Sequence, residues 1–179
     1  MKKHLLFICL IFSVTLFAQK AALPIVKLKK GNVKLNKTIV TKDWKLSGFT
    51  NTLGKPERER DGANKTHTYD KYGIVLFEPK NDKKEPSGTI SEFQFYFSVP
   101  EPNVVTPTGV YTNNIKIDKL IVNAGLTSEK MKKALKKWTS TESYLEHSFR
   151  MQYKLIYVYF QFDQTETKLI KLSVGKVKP

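Results

Sequence analysis

The chain has 179 residues, with 31 lysines and arginines against 16 aspartates and glutamates, a net charge of +15, and one cysteine. A lone cysteine excludes an internal disulfide framework, and the length suits one domain or two small fused units able to bury a core unaided. Arginine occurs only at Arg58, Arg60 and Arg150, and the dispersed lysines argue against nucleic-acid readout. They fit a solvated surface, or a general attraction to anionic envelope polymer or lipid.

Met1-Lys2-Lys3-His4, the apolar run Leu5–Phe17 and then Ala18 follow the order of a secretory signal peptide. The run falls short of the about 20 residues that a spanning helix needs. Cys9 sits in its middle, whereas a lipoprotein signal places a cysteine at its end. Cleavage after Ala18, or later at Ala21 or Ala22, removes the only thiol. The expectation is a soluble exported protein, periplasmic or secreted, with no transmembrane segment after cleavage.

Residues 19–40 read as an opening segment or hairpin, with Val26-Lys27-Leu28 and Val33-Lys34-Leu35 alternating around a Lys-Gly-Asn turn. A first helix is expected after Thr41 or Asp43, with Leu46, Phe49 and Leu53 on one face, ending at Gly54 before Pro56. Strands are expected at 65–69, 74–77 and 89–99. In the last of these Phe93, Phe95 and Phe97 alternate with polar residues and Tyr96, the pattern of a half-buried antiparallel strand. Pro100, Pro102 and Pro107 break regular structure, so residues 100–125 read as a linker carrying a bridging strand.

Gly125-Leu126-Thr127-Ser128-Glu129 announces a second, basic amphipathic helix, capped by Thr127 or Ser128, with Met131, Ala134, Leu135 and Trp138 as its apolar stripe. Strands are expected at 144–152, 155–162 and 168–174, followed by a tail over 175–179. Residues 41–99 and 126–174 therefore share one order of helix and three strands. The expected fold class is α+β: two helix-plus-three-strand antiparallel units forming one or two adjoining sheets, with helices packed on one face.

The second helix, the hairpin through Tyr159-Phe160-Gln161-Phe162-Asp163, and Leu53-Gly54-Lys55-Pro56 at the end of the first helix together resemble the helix–sheet repeat of SmpA/OmlA-type envelope proteins. That repeat occurs in tandem in β-lactamase-inhibitor proteins. The resemblance covers residues 41–174, although the second half lacks the Leu-Gly-x-Pro. It implies a non-catalytic protein-binding module that holds partners on an open sheet face.

Little in the sequence speaks for chemistry. His67 and His147 are the histidines left after cleavage, and no metal-binding, nucleophile-elbow or phosphate-loop motif accompanies them. No catalytic residue, cofactor or metal is expected. The partner-binding candidates are Tyr96, Tyr157 and Tyr159, which alternation places on the face opposite the phenylalanines, and Arg58 and Arg60 in the charged run 57–61. The leading expectation is an exported module that binds another protein, as inhibitor, immunity factor or envelope-assembly accessory. The alternatives are a lysine-mediated binder of anionic envelope polymer or lipid surface, and an unrecognised hydrolase.

Overall fold

Period-two patterning governs most of the chain, in a computed structural model that describes residues 23–177 apart from 30, 100, 102, 142 and 144. The expected signal peptide with Cys9, two prolines of the expected linker and the end of the expected tail lie outside the described residues. In chain order the elements are β1 (Val26–Lys29), β2 (Asn32–Leu35), β3 (Thr38–Ile39), α1 (Leu46–Leu53), β4 (Arg58–Arg60), β5 (Asn64–Tyr69), β6 (Ile74–Pro79), β7 (Glu92–Tyr96), β8 (Ile115–Ile117), β9 (Leu120–Val122), α2 (Ser128–Ala134), β10 (Thr139–Thr141), β11 (Ser148–Tyr153), β12 (Ile156–Phe162) and β13 (Leu169–Lys176).

The strands form two sheets. The larger is ordered β10-β11-β12-β13-β7-β6-β5-β4, and the smaller β3-β2-β1-β8-β9. All pairings of the larger sheet are antiparallel, including the central one that sets Leu172 opposite Phe95 and Val174 opposite Phe93. In the smaller sheet β1 pairs in parallel with β8, Val26 opposite Ile115.

This corrects the expected α+β architecture. The protein is mostly β, and helices do not pack as layers over three-stranded units. Its helices are short, eight and seven residues. They contribute Phe49, Leu53 and Met131 to a core that also holds the inward faces of both sheets: Val26, Leu28, Val33, Ile115 and Ile117 from the smaller, and Leu76, Phe93, Phe95, Val158, Phe160, Leu172 and Val174 from the larger. Strands with one greasy face bury it against another sheet as readily as against a helix, and local pattern does not distinguish the two. The pairing of β1 with β8 gathers the opening segment and the expected linker into that second sheet.

The helix-boundary signals act as capping chemistry requires. The Thr127 hydroxyl accepts from the Lys130 N–H, and Gly54 follows α1 with φ 82°. Asp43 does not cap α1; it accepts instead from the N–H of Lys45, one residue before the helix. β4 and β10, both unforeseen, are the two edges of the larger sheet. Their sequences, Arg-Glu-Arg and Thr-Ser-Thr, are polar, as suits edges that must not recruit further strands.

Candidate functional site

The inward face of the larger sheet is closed by the core, which leaves its outer face as the side open to other molecules. There the strand order brings together side chains that sequence spacing keeps apart. Tyr157 stands opposite Gly175, and Gly175 opposite Glu92, so one row crosses β12, β13 and β7. A Cβ on Gly175 would lie 2.2 Å from the Tyr157 ring. Glycine here lets that ring lie flat across β13, and its hydroxyl donates to Glu92 Oε2 in a short hydrogen bond. The other Glu92 oxygen accepts from Gln94 Nε2 at 2.6 Å, and Gln94 Oε1 accepts from the Tyr96 hydroxyl at 2.8 Å.

Arg150 on β11 lies over the opposite side of this system, its guanidinium carbon 4.4 Å from the centre of the Tyr157 ring. That is cation–π geometry. The buried Arg150 Nε has no hydrogen-bond partner among the described residues. Among the described residues neither Arg150 nor Lys171 of β13 forms an ion pair. Burial pulls the Lys171 ammonium below its ordinary range, against an upward pull from Glu92. Burial, with the nearby Glu92 carboxylate, pushes the Tyr157 phenol above its ordinary range.

These residues, with Tyr159, Ser173, Ser143 and Leu145, line a hollow of about 400 Å³. The Ser143 hydroxyl donates to that of Tyr159 at 3.2 Å, fixing the wall to the floor, and Leu145 stands exposed on the rim. A second hollow shares Glu92, Arg150 and Tyr157 and extends toward Phe77 and Asn64, so the groove continues across the sheet.

The five partner-binding candidates separate. Tyr157 and Tyr159 meet in the groove. Tyr96 shares their face but is buried, with Lys171 over its ring, and desolvation raises its phenol to about 12. Arg58 and Arg60 lie on β4, at the far edge of the sheet. Arg58 is occupied by its own chain: Nε and Nη2 both reach Asp70 at 2.7 Å, and Nη2 also donates to the Thr106 carbonyl. That pairing holds the Asp70 carboxyl below its usual range. Arg60 is exposed beside a smaller hollow of about 270 Å³. Sequence reading missed Arg150, Glu92, Gln94 and Lys171, although Arg150 carries a local signal as an arginine between the apolar Phe149 and Met151 of a strand.

The histidines sit in other arrangements. His67, buried on the inner face, meets Glu59 through Nδ1 and Glu78 through Nε2, both at 2.8 Å. The carboxylates occupy opposite ring nitrogens, so the three groups do not converge on one point. Glu78 also accepts from the Gly88 N–H, and Glu59 pairs with Lys65. Burial pushes the Glu59 carboxyl upward, but Lys65 and His67 outweigh it and hold the group low. His147 approaches Glu166 at 3.4 Å, and the Ser128 hydroxyl donates to the same carboxylate. A hydrolytic triad needs imidazole between hydroxyl and carboxylate, whereas here the carboxylate is central. Among the described residues no group of three or more His, Cys, Asp or Glu is placed to hold a metal ion, and no helix is long and apolar enough to cross a membrane.

Among solved structures the chain is similar to an extracellular protein containing a SCP domain from Bacillus anthracis, at 9% identity and TM-score 0.48, covering 74% of this chain and 43% of that one. It is similar also to a DUF4309 family protein from Bacillus subtilis, at 13% identity and TM-score 0.41, covering 75% and 80%. A cysteine-rich secretory protein from Staphylococcus aureus matches at 13% identity and TM-score 0.36, covering 74% and 42%. The chain thus spans less than half the length of two of these three proteins. No curated protein matches it in sequence. Residues 25–131, more than half of the chain, match the model of DUF7738, a domain of unknown function, and the chain belongs to that family.

Proposed function

We propose that this chain is an exported, non-catalytic binding protein whose open outer sheet face holds another protein, as inhibitor, immunity factor or assembly accessory. Arg150 carries the reading: it lies over Tyr157 in an open groove, with a buried Nε that no described residue satisfies. A buried donor left unpaired costs stability, so a folded chain gains when a partner supplies an acceptor. Arginine and tyrosine are the residue types that dominate contact energetics, and Leu145 adds an apolar rim. Two cations beside one carboxylate favour a partner surface bearing an acidic side chain. Neither histidine lines the groove. The leader pattern of residues 1–18 supports export.

The test is site-specific photo-cross-linking in the exporting cell. A photoreactive residue at Leu145 should give a discrete protein adduct, and one at Lys133 on α2 should not. The adduct should disappear with Arg150→Ala and with Tyr159→Ser. Equal adducts from both positions, or an adduct indifferent to both substitutions, would overturn the assignment.

A further inference from the structure

The smaller sheet has an outer face too, and its composition is unlike that of the groove. Its registers align Ile39 with Lys34, Lys34 with Lys27, Lys27 with Lys116, and Lys116 with Ile121. One rung therefore runs across all five strands as isoleucine, three adjacent lysines, isoleucine. Strand spacing makes this rung about 19 Å wide, with neighbouring lysine Cβ atoms about 5 Å apart. All three lysines are exposed, and so are Ile39 at 42% and Ile121 at 46%. Ile25, 54% exposed, precedes Lys27 by two residues, and Lys29 follows it by two. Lys119 joins Lys27, Lys29, Lys116 and Ile121 around a hollow of about 810 Å³. The carboxylate lining that hollow, Asp118, accepts from the Trp138 indole N–H at 3.4 Å. Among the described residues none of these five lysines is in an ion pair.

Folding does not explain this rung. Like charges directly opposite on paired strands destabilise a sheet, and a face kept only for solubility mixes its signs and hides its isoleucines. We propose that this face docks on an anionic lipid membrane. Lysine ammoniums are point charges that suit a diffuse layer of headgroup phosphates better than a shaped anion site. The isoleucines at both ends of the rung decide between lipid and soluble polyanion. A polyanion has no use for them, whereas the interfacial zone of a bilayer takes up apolar side chains beside basic ones. The surface is distinct from the Arg150 groove and leaves that groove free for its partner.

The experiment is co-sedimentation of the full chain with vesicles of phosphatidylcholine alone or mixed with phosphatidylglycerol, across a salt series. The mixed vesicles should bind the chain more strongly, and the difference should shrink as salt rises. Each lysine near an anionic surface contributes about fivefold in partitioning, so Lys27→Gln/Lys34→Gln/Lys116→Gln should weaken binding on the order of a hundredfold. Ile39→Ser/Ile121→Ser should weaken vesicle binding while leaving retention on a heparin column unchanged. Arg150→Ala should bind vesicles as the unaltered chain does, which separates this surface from the proposed protein site. The three lysines and two isoleucines are exposed, and unchanged thermal midpoints verify folding of each variant. Full vesicle binding by the triple lysine variant overturns the proposal. So does a double isoleucine variant that binds vesicles undiminished, since the face would then be a polyanion site.

Discussion

Over β4, β5 and β6 the outer face of the larger sheet is roofed by residues 103–110, whereas over β11, β12, β13 and β7 it lies open. In the roofed half the Thr68 hydroxyl donates to the Val105 carbonyl, and Arg58 donates to Thr106 while forking onto Asp70. Asp70 in turn accepts from the Thr108 N–H, and the outward Thr66, Thr68 and Val75 are buried. In the open half Arg150 has a tyrosine ring beneath it and an Nε that no described residue pairs with. One arginine has every direction of its fork answered by its own chain, and it holds the fold. The other has, among the described residues, a buried Nε that is not answered, beside an open groove.

The hardest way to break the contrast is to lift the roof. Gly109 packs so tightly that an added Cβ would sit 2.3 Å from the Asp70 carbonyl oxygen. Backbone cannot yield as a side chain can, so Gly109→Ala must push residues 108–110 off the sheet and disturb the Thr108–Asp70 bond. The expected loss is about 2–4 kcal/mol in urea unfolding. Amide exchange at Val105 and Thr108 should accelerate more than at β12 or β13. Uniform acceleration across the whole sheet would show that the roof is not a separate structural unit.

The open half is broken more gently. An added methyl in Gly175→Ala meets the far end of the Tyr157 side chain, which can swing away. The expected cost is about 1 kcal/mol. The sharper readout is spectral. Burial and Glu92 raise the Tyr157 phenol in the native chain. Displaced from both, it should ionise nearer the ordinary tyrosine pKa of about 10 in an ultraviolet pH titration. An unchanged titration would place the cause of the shift elsewhere.

Much of this contrast was hidden from sequence for definite reasons. The alternation through Phe93 and Phe95 and through Val158 and Phe160 is local, so the central strands and their inward faces were legible, and with them the outward Tyr157 and Tyr159. Capping at Thr127 and termination at Gly54 were legible for the same reason. The charged Arg58-Glu59-Arg60 read as loop because an edge strand has no buried face to impose a pattern. The covering sheet depends on Val26 finding Ile115, and no window along the chain holds both. Arg58 lies in a charged run and Arg150 between Phe149 and Met151, but neither setting says which of them finds partners. Only strand order and the path of residues 103–110 reveal that the first is answered, while the Nε of the second is not answered among the described residues. Tyr96 obeys the same alternation as Tyr157, yet Lys171 arrives from β13 to cover it.

Lys171 gives the smallest expected effect and the cleanest sign. Burial lowers its folded-state pKa beneath the unfolded value. At neutral pH the ammonium is charged in both states but less well solvated in the folded one, so it subtracts stability. Between the folded and unfolded pKa values the unfolded chain binds more protons, and stability must rise with pH there. Lys171→Met, close in shape and uncharged, should raise stability at pH 7 by a few tenths of a kcal/mol and abolish that rise. Tyr96 and Tyr157 act oppositely: their raised phenols bind more protons folded than unfolded, so their contribution falls as pH climbs past about 10. Both tyrosines are present in either chain, so subtracting the variant's stability curve from the native one isolates the lysine. A difference that stays flat from pH 7 to 11 would mean that Lys171 is solvated well enough to be neutral toward folding. The groove would then keep two ordinary, fully charged cations at neutral pH, Arg150 and Lys171.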